Sequence, residues 1–344
     1  MPVFYSDDTL TLGGDVKVDE INDILQSRGR GRALSDPRTA GSRLVVSVPA
    51  GEAEAIRLEL LEAKAADDVR LVADHYNGTF ELHGRDIPHG RDIPHAFALG
   101  ELAEEAFAAP PWKAPPAGTR RPVIALLDSG VRPHDWLPAT PADDPFLIHA
   151  EELADGWDPK MPAPDESMPQ AGHATFIAGL LRMGSPYARV LSMRVMGDRG
   201  KVNEAEVIRA FEWLLGYRTP GHPVDIVCLA FGRNAGDASD QETLIELKRK
   251  VEEATRAGMQ VVASAGNDHL PEELFPGAWE FVTAVGAGVD NRHDRFSNYG
   301  HWVDRYRDGA DQISILPGNR WGKWTGTSFA VANFAADLAR PYVI

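Results

Sequence analysis

Downstream of residue 120 the chain alternates between short, almost unbroken apolar runs and longer segments with apolar residues three and four apart. The runs cover residues 123–127, 190–195, 224–230, 260–263 and 281–285; the amphipathic segments cover 174–182, 203–215, 240–257 and 328–340. An apolar run of four to seven residues without alternation reads as a strand covered on both faces, and the three-to-four spacing reads as a helix. Strands and helices in alternation predict an α/β, three-layer arrangement, a mainly parallel sheet between helices. Upstream the pattern is different. Residues 43–48 alternate like a half-buried strand, 52–65 carry Ile56, Leu60, Leu61 and Ala65 at helical spacing, and 69–73 form a second strand candidate. Asn77-Gly78 is a hairpin signal ahead of a third, at 79–82. The arginine- and glycine-rich stretch 27–42 is expected to be a loop. These features predict a small α+β domain over 1–107.

Between the two patterns, residues 108–120 hold the pairs Pro110-Pro111 and Pro115-Pro116. Proline pairs continue neither a helix nor a central strand, so this segment is expected to link the first domain to a second over 121–344. Just before it, His-Gly-Arg-Asp-Ile-Pro occurs twice in 83–94, followed by His95. Three histidines six residues apart, separated by prolines, do not share one helix face. Structural zinc sites use closer pairs and cysteines, so a duplicated exposed loop is the better reading and no metal site is expected.

Composition narrows the classes of function. With 43% hydrophobic and 25% charged residues among 344, the chain has material for a sizeable core. The formal net charge of −16 is spread along the sequence, which argues against a nucleic-acid partner. A single cysteine, Cys228, lies inside an apolar run; no intramolecular disulfide can form, and the residue is expected to be inert core. The first residues lack a basic region followed by an apolar stretch, and no run of 18 apolar residues occurs. Neither a signal peptide nor a membrane span is therefore expected, and the cytoplasm is the expected location.

Three polar residues stand where packing does not need them. Asp128 ends the apolar run Ile124-Ala-Leu-Leu-Asp128, before Ser129-Gly130. His173 opens a helix rich in small residues, and Ser328 opens an apolar one after Gly326-Thr327. Alone, each has an ordinary explanation: a strand-ending turn former, a satisfied core histidine, an N-cap. Together they suit nucleophilic catalysis. A serine hydroxyl needs an adjacent base, histidine titrates near neutral pH, and aspartate fixes its tautomer.

In this order the motifs resemble those of the subtilisin-like peptidases, family S8. Leu127-Asp-Ser-Gly130, His173-Ala-Thr-Phe-Ile-Ala-Gly179 and Gly326-Thr-Ser-Phe-Ala-Val-Ala332 match the family's aspartate, histidine and serine motifs, at spacings of 45 and 155 residues between the three. Ala263-Ser-Ala-Gly-Asn267 is similar to the segment whose asparagine donates to the oxyanion, and Leu229-Ala-Phe-Gly232 to the strand that pairs with extended substrate. The resemblance covers about residues 120–344. It implies a serine endopeptidase of subtilisin-like fold, acting through an acyl-enzyme with Asp128, His173 and Ser328 as triad and Asn267 as oxyanion donor. Leu229, Ala230, Phe231, Gly232, Ala265 and Gly266 would contact a protein or peptide substrate. It also implies that 1–107 is either a propeptide or a permanent accessory domain. No cofactor is expected; calcium sites are frequent in the family, but no acidic loop here matches one. Two departures stand out: Ala174 replaces the glycine after the histidine, and Ala332 replaces the proline of the serine motif. A catalytically weak binding or regulatory protein on the same fold is the alternative. Substrate identity, subsite preference and oligomeric state are not legible.

Overall fold

A computed structural model of the chain describes residues 5–13, 16–30, 33–40, 43–49, 52–63, 68–76, 97–98, 120–137, 146–161, 163, 170–197, 200–217, 223–234, 241–290 and 292–340. The first elements are β1 (Tyr5–Gly13), α1 (Val18–Ser27), β2 (Ser35–Ala40), β3 (Arg43–Ser47), α2 (Ala53–Ala63) and β4 (Asp68–Tyr76). The pairs Leu10↔Val46 and Leu12↔Leu44 put every second residue of β1 and β3 on one face. That face packs with Ile21 and Leu25 of α1 and Ile56 and Leu60 of α2 into one small core. Leu61, expected on the same stripe of α2, is 38% exposed.

Of the loop expected over 27–42, residues 28–30 and 33–34 are turn and coil, but Ser27 ends α1 and 35–40 form β2. The reason is visible in the pairing. β2 is the outer strand of its sheet, and its register against β3 shifts between Ser35 and Arg38, at Pro37. Proline is tolerated at such an edge bulge and hides the strand from a pattern reading.

A two-residue strand, β5 (Phe97–Ala98), precedes the elements of the second pattern. These are β6 (Val123–Asp128), β7 (Leu147–His149), α3 (His173–Gly184), β8 (Arg189–Arg194), β9 (Lys201–Asn203), α4 (Glu204–Gly216), β10 (Ile226–Leu229), α5 (Gln241–Arg256), β11 (Gln260–Ser264), β12 (Thr283–Val289), β13 (Arg292–His293), β14 (Arg305–Arg307), β15 (Gln312–Leu316), β16 (Arg320–Trp324) and α6 (Thr327–Ala339). The large sheet has the order β13-β12-β11-β10-β6-β8-β7, with β14 also on β12, and only β13 runs antiparallel. The stretch 131–170, which reads as a loop, supplies its edge strand β7, parallel to β8.

Alternate residues of the central strands enter two different cores. Ile124, Leu126, Cys228 and Val262 face α3 and α6, whereas Val123, Ala125, Val227, Leu229 and Val261 face α4 and α5. Both faces are dry, which is why these strands read as continuous apolar runs. Cys228 sits in this interior, where burial pushes its thiol pKa up, so it stays protonated and inert.

Two joints tie upstream chain to this sheet. Arg120 donates to both carboxylate oxygens of Asp225 at 2.7 and 2.5 Å, and Asp225 accepts from the Val123 amide, pinning the start of β6 beside β10. β4 pairs antiparallel with β9 through Asp74↔Asn203, His75↔Val202 and Tyr76↔Lys201, so the small sheet ends on a strand from the second half. The third strand expected at 79–82, the duplication at 83–94 and the linker before Arg120 lie outside the described residues.

Candidate active site

Asp128 closes β6 at the carboxyl edge of the parallel sheet, where functional groups of α/β folds gather. Its carbonyl accepts from the amides of Val195 and Met196, and its carboxylate accepts from the Ser129 amide at 2.7 Å. Two residues on, Gly130 has φ +82°, and a Cβ there would meet the Arg194 side chain at 3.3 Å. Only glycine turns the chain at that point without strain.

His173 is the first residue of α3. Its Nδ1 lies 2.9 Å from both carboxylate oxygens of Asp128. The carboxylate can only accept, so Nδ1 carries the proton and Nε2 is left as the basic atom. The turn that holds the ring is fixed by the Ala174 amide, which donates to Ser129 Oγ at 3.2 Å. Trp324 packs edge-on against the imidazole with centroids 5.5 Å apart, and Phe329 lies 5.7 Å away. These two aromatics come from the end of β16 and the first turn of α6, on either side of Ser328 in the chain. Ser328 lies between them in the chain, at the second position of α6. Its Oγ donates to the Ala230 carbonyl at 3.3 Å. Nε2 of His173 is buried and has no hydrogen-bond partner among the described residues. Asp128, His173 and Ser328 are each at most 1% exposed, so the site is closed to solvent in this structure.

Asn267 follows the end of β11. Its Oδ1 accepts from both the amide and the hydroxyl of Thr327, at 2.8 and 2.9 Å. This fixes the amide's orientation and leaves Nδ2 buried without a partner among the described residues. An unsatisfied buried donor costs about 1–3 kcal/mol, which an arriving negative oxygen would recover. The Gly266 amide completes the joint by donating to Thr327 Oγ1 at 3.1 Å, and Gly266 itself has φ +99° with the Asn298 side chain against it.

The six residues expected to contact substrate fall into two groups. Gly266 and Ala265 stand beside Asn267; the Ala265 amide is used by Val285 in the sheet. Leu229, Ala230 and Phe231 have fully buried side chains divided between the two large cores. A substrate along this segment would therefore meet main chain, and the Ala230 carbonyl is already within reach of Ser328. Gly232 runs against Leu274 and Phe275, where a Cβ would clash at 2.7 and 3.0 Å. The departures at Ala174 and Ala332 are both fully buried methyls in the core shared by α3 and α6.

Thr327, Ser129, Trp324 and Phe329 were not singled out by sequence reasoning. Thr327 and Ser129 sit inside the serine and aspartate motifs, so their position was a signal. The two aromatics act on a histidine some 150 residues away, and no local pattern reveals that.

Next to Asn267, burial raises the carboxyl of Asp268 from 3.8 to about 6, with the charge of Glu272 adding to the rise. The folded chain thus holds this proton more tightly than the unfolded one, so the group's contribution to stability falls as pH rises from about 4 to about 6. Asp268→Asn is expected to raise stability at about pH 8 by up to ~3 kcal/mol, seen as a higher thermal midpoint, and to leave it unchanged near pH 3.5. Melting curves at the two pH values check this; an equal shift at both would remove burial of the charge as the cause. Among the described residues no group of three or more His, Cys, Asp or Glu side chains is placed to hold a metal ion.

The structure thus sets a buried Asp128–His173 pair, the buried helix-opening Ser328 and the unpartnered Nδ2 of Asn267 on a mainly parallel α/β sheet. The family model of the subtilases matches residues 119–341, and the chain belongs to the subtilase family, peptidase family S8. It is 33% identical over 176 residues to the thermophilic serine proteinase of Bacillus sp. (strain AK1), an overlap of 49% of this chain and 39% of that protein. It is 31% identical over 186 residues to the major intracellular serine protease of Bacillus subtilis (strain 168), covering 49% of this chain and 54% of that one. The chain thus spans about half or less of the length of these relatives. Among solved structures, a cold adapted subtilisin-like serine proteinase superposes with TM-score 0.51 at 18% identity, over 64% of this chain and 74% of that chain. That likeness concerns the fold.

Proposed function

We propose that this chain is a serine endopeptidase that cleaves peptide bonds through an acyl-enzyme, with Asp128, His173 and Ser328 as its triad and Asn267 as oxyanion donor. The observation that carries the reading is the His173 ring, held through Nδ1 on Asp128 and clamped by the two aromatics that flank Ser328. Rotation of the Ser328 side chain away from Ala230 brings its hydroxyl to Nε2. Oγ then attacks the scissile carbonyl carbon while its proton passes to Nε2. The carbonyl oxygen, now negative, takes the hydrogen bond of Asn267 Nδ2. Collapse expels the amine, which leaves with the proton from Nε2. A water attacks the ester in the same way and releases the acid, restoring Ser328. The substrate class is protein or peptide, bound along the main chain of 229–232.

An intracellular location suits the name of the Bacillus subtilis relative, and the role proposed there is processing or regulatory cleavage. Among the described residues no helix is long and apolar enough to cross a membrane. The test of the reading is hydrolysis of casein and labelling by a fluorophosphonate probe in the wild-type chain. If neither occurs, the endopeptidase assignment fails. The contact of Ser328 Oγ with Ala230 in place of His173 favours the second reading, a binding or regulatory protein of low turnover. Measured turnover of an unfolded protein would dispose of it.

Residues 1–107 are proposed to be a propeptide-like domain joined by the segment 108–120 to a peptidase domain at 121–344. Support comes from the pairing of β4 with β9 and from the closed triad. Intact-mass analysis is expected to find a mature fragment beginning between residues 83 and 121 in the wild type and none in Ser328→Ala. No fragment in either, or the same fragment in both, would make the N-terminal region a permanent partner of the site or the target of another protease.

A further inference from the structure

The segment after β10 is held at one end by the sheet and at the other by a buried ion pair that catalysis as described does not use. Arg233 and Glu204 are 4% and 0% exposed. Nη2 of Arg233 lies 3.2 and 3.1 Å from the two carboxylate oxygens of Glu204, and Nη1 donates to the Asn234 carbonyl at 2.9 Å. The Arg233 backbone is bridged in both directions to Phe275, with N–O distances of 2.8 and 2.7 Å. Glu204 is itself immobile: it is the first residue of α4, behind the cap Asn203, whose side chain accepts from the Ala205 amide at 3.0 Å.

Burying two charges is expensive, and an apolar pair of like volume would often hold a core as well or better. A pair retained here therefore asks for a role beyond stability. What it holds is short. Three residues back from Arg233 is Ala230, whose carbonyl receives the Ser328 hydroxyl. Gly232, between them, runs so close to Leu274 and Phe275 that the backbone has no lateral freedom on that side. Sliding along the strand is opposed by the reciprocal backbone pair of Arg233 with Phe275 and, from the side chain, by the forked contact of Arg233 with Glu204.

We propose that Arg233 and Glu204 are positioning residues that set the register of segment 230–233 against Ser328, and through it the register of a bound peptide. The proposal rests on the endopeptidase reading above. The pair acts on substrates long enough to lie along the segment and leaves small phosphonylating reagents, which need only the triad and the oxyanion donor, untouched.

Glu204→Gln keeps the shape of the side chain and removes the charge. With a peptide substrate spanning at least four residues before the scissile bond, its KM is expected to rise about tenfold, with kcat changed less than about twofold. The rate of labelling by a small fluorophosphonate is expected to stay within about twofold of wild type. Glu204→Asp, which keeps the charge with a shorter reach, is expected to recover part of the loss. Where Glu204→Gln does not accumulate as folded protein, Arg233→Lys, which keeps the charge and gives up the fork, carries the same two measurements. Peptide turnover and probe labelling falling together, or neither changing in a variant of wild-type melting temperature, would overturn the proposal. A wild-type chain that neither labels nor cleaves sinks the endopeptidase reading instead, so the two failures are distinct.

Discussion

Replacing Ser328 by alanine is expected to abolish fluorophosphonate labelling and to lower kcat for peptide hydrolysis by about 10⁴–10⁶-fold, the size known for such triads. KM and the melting temperature are expected to stay close to wild type. The side chain is small and buried, and its hydrogen bond to the Ala230 carbonyl is longer than most at 3.3 Å. Removing it leaves Asp128, His173 and Asn267 in place. The oxyanion donor and substrate binding then supply the residual rate over water. His173→Ala should cost about as much and not add to Ser328→Ala, because base and nucleophile act as one unit. A clear additive loss in the double variant would mean that the two side chains contribute separately. Casein hydrolysis and single-turnover labelling of the three variants decide it. Full labelling of Ser328→Ala would move the nucleophile elsewhere.

The outcome depends on contacts that differ in how far the sequence discloses them. Asp128, His173 and Ser328 stand out in the sequence because each breaks a pattern at a strand end or helix start, and the structure brings the first two into contact. The parallel sheet could be read because two cores claim alternate residues of the same strand, leaving no polar face to interrupt the runs. The smaller sheet was half legible. β3 and α2 have one buried face and the periodicity that goes with it, whereas β2 carries Pro37 at a bulge and looks like a loop. β7 and β9 are three residues long and owe their existence to the strands beside them, β8 and β4. No local preference of three residues encodes a pairing of that kind. The same holds for the Trp324 and Phe329 clamp and for the pair formed by Arg233 and Glu204. Those are tertiary contacts between segments whose own patterns only say that they are a strand and a helix.

Asn267 shows how a motif residue gains its meaning from its neighbour. Removal of its amide is expected to lower kcat by about 10²–10³-fold, roughly 2.7–4 kcal/mol, with little change in KM, the size measured for this donor in subtilisin itself. The reason for the split is that Nδ2 has no hydrogen-bond partner among the described residues in the resting site. A substrate carbonyl that gains little from the donor before attack gains most once its oxygen becomes negative. The orientation of that donor depends on Thr327, which engages Oδ1 with both its amide and its hydroxyl. Asn267→Asp separates the two roles: the acceptor for Thr327 remains, the donor is lost, and a negative charge faces the developing oxyanion. Its kcat should fall below that of Asn267→Ala at neutral pH. Thr327→Val removes only the hydroxyl and keeps the amide contact, so its loss should be about tenfold or less, close to one hydrogen bond's worth of orientation. If Asn267→Ala raises KM and leaves kcat intact, the side chain binds ground-state substrate, and the oxyanion must be held by another group.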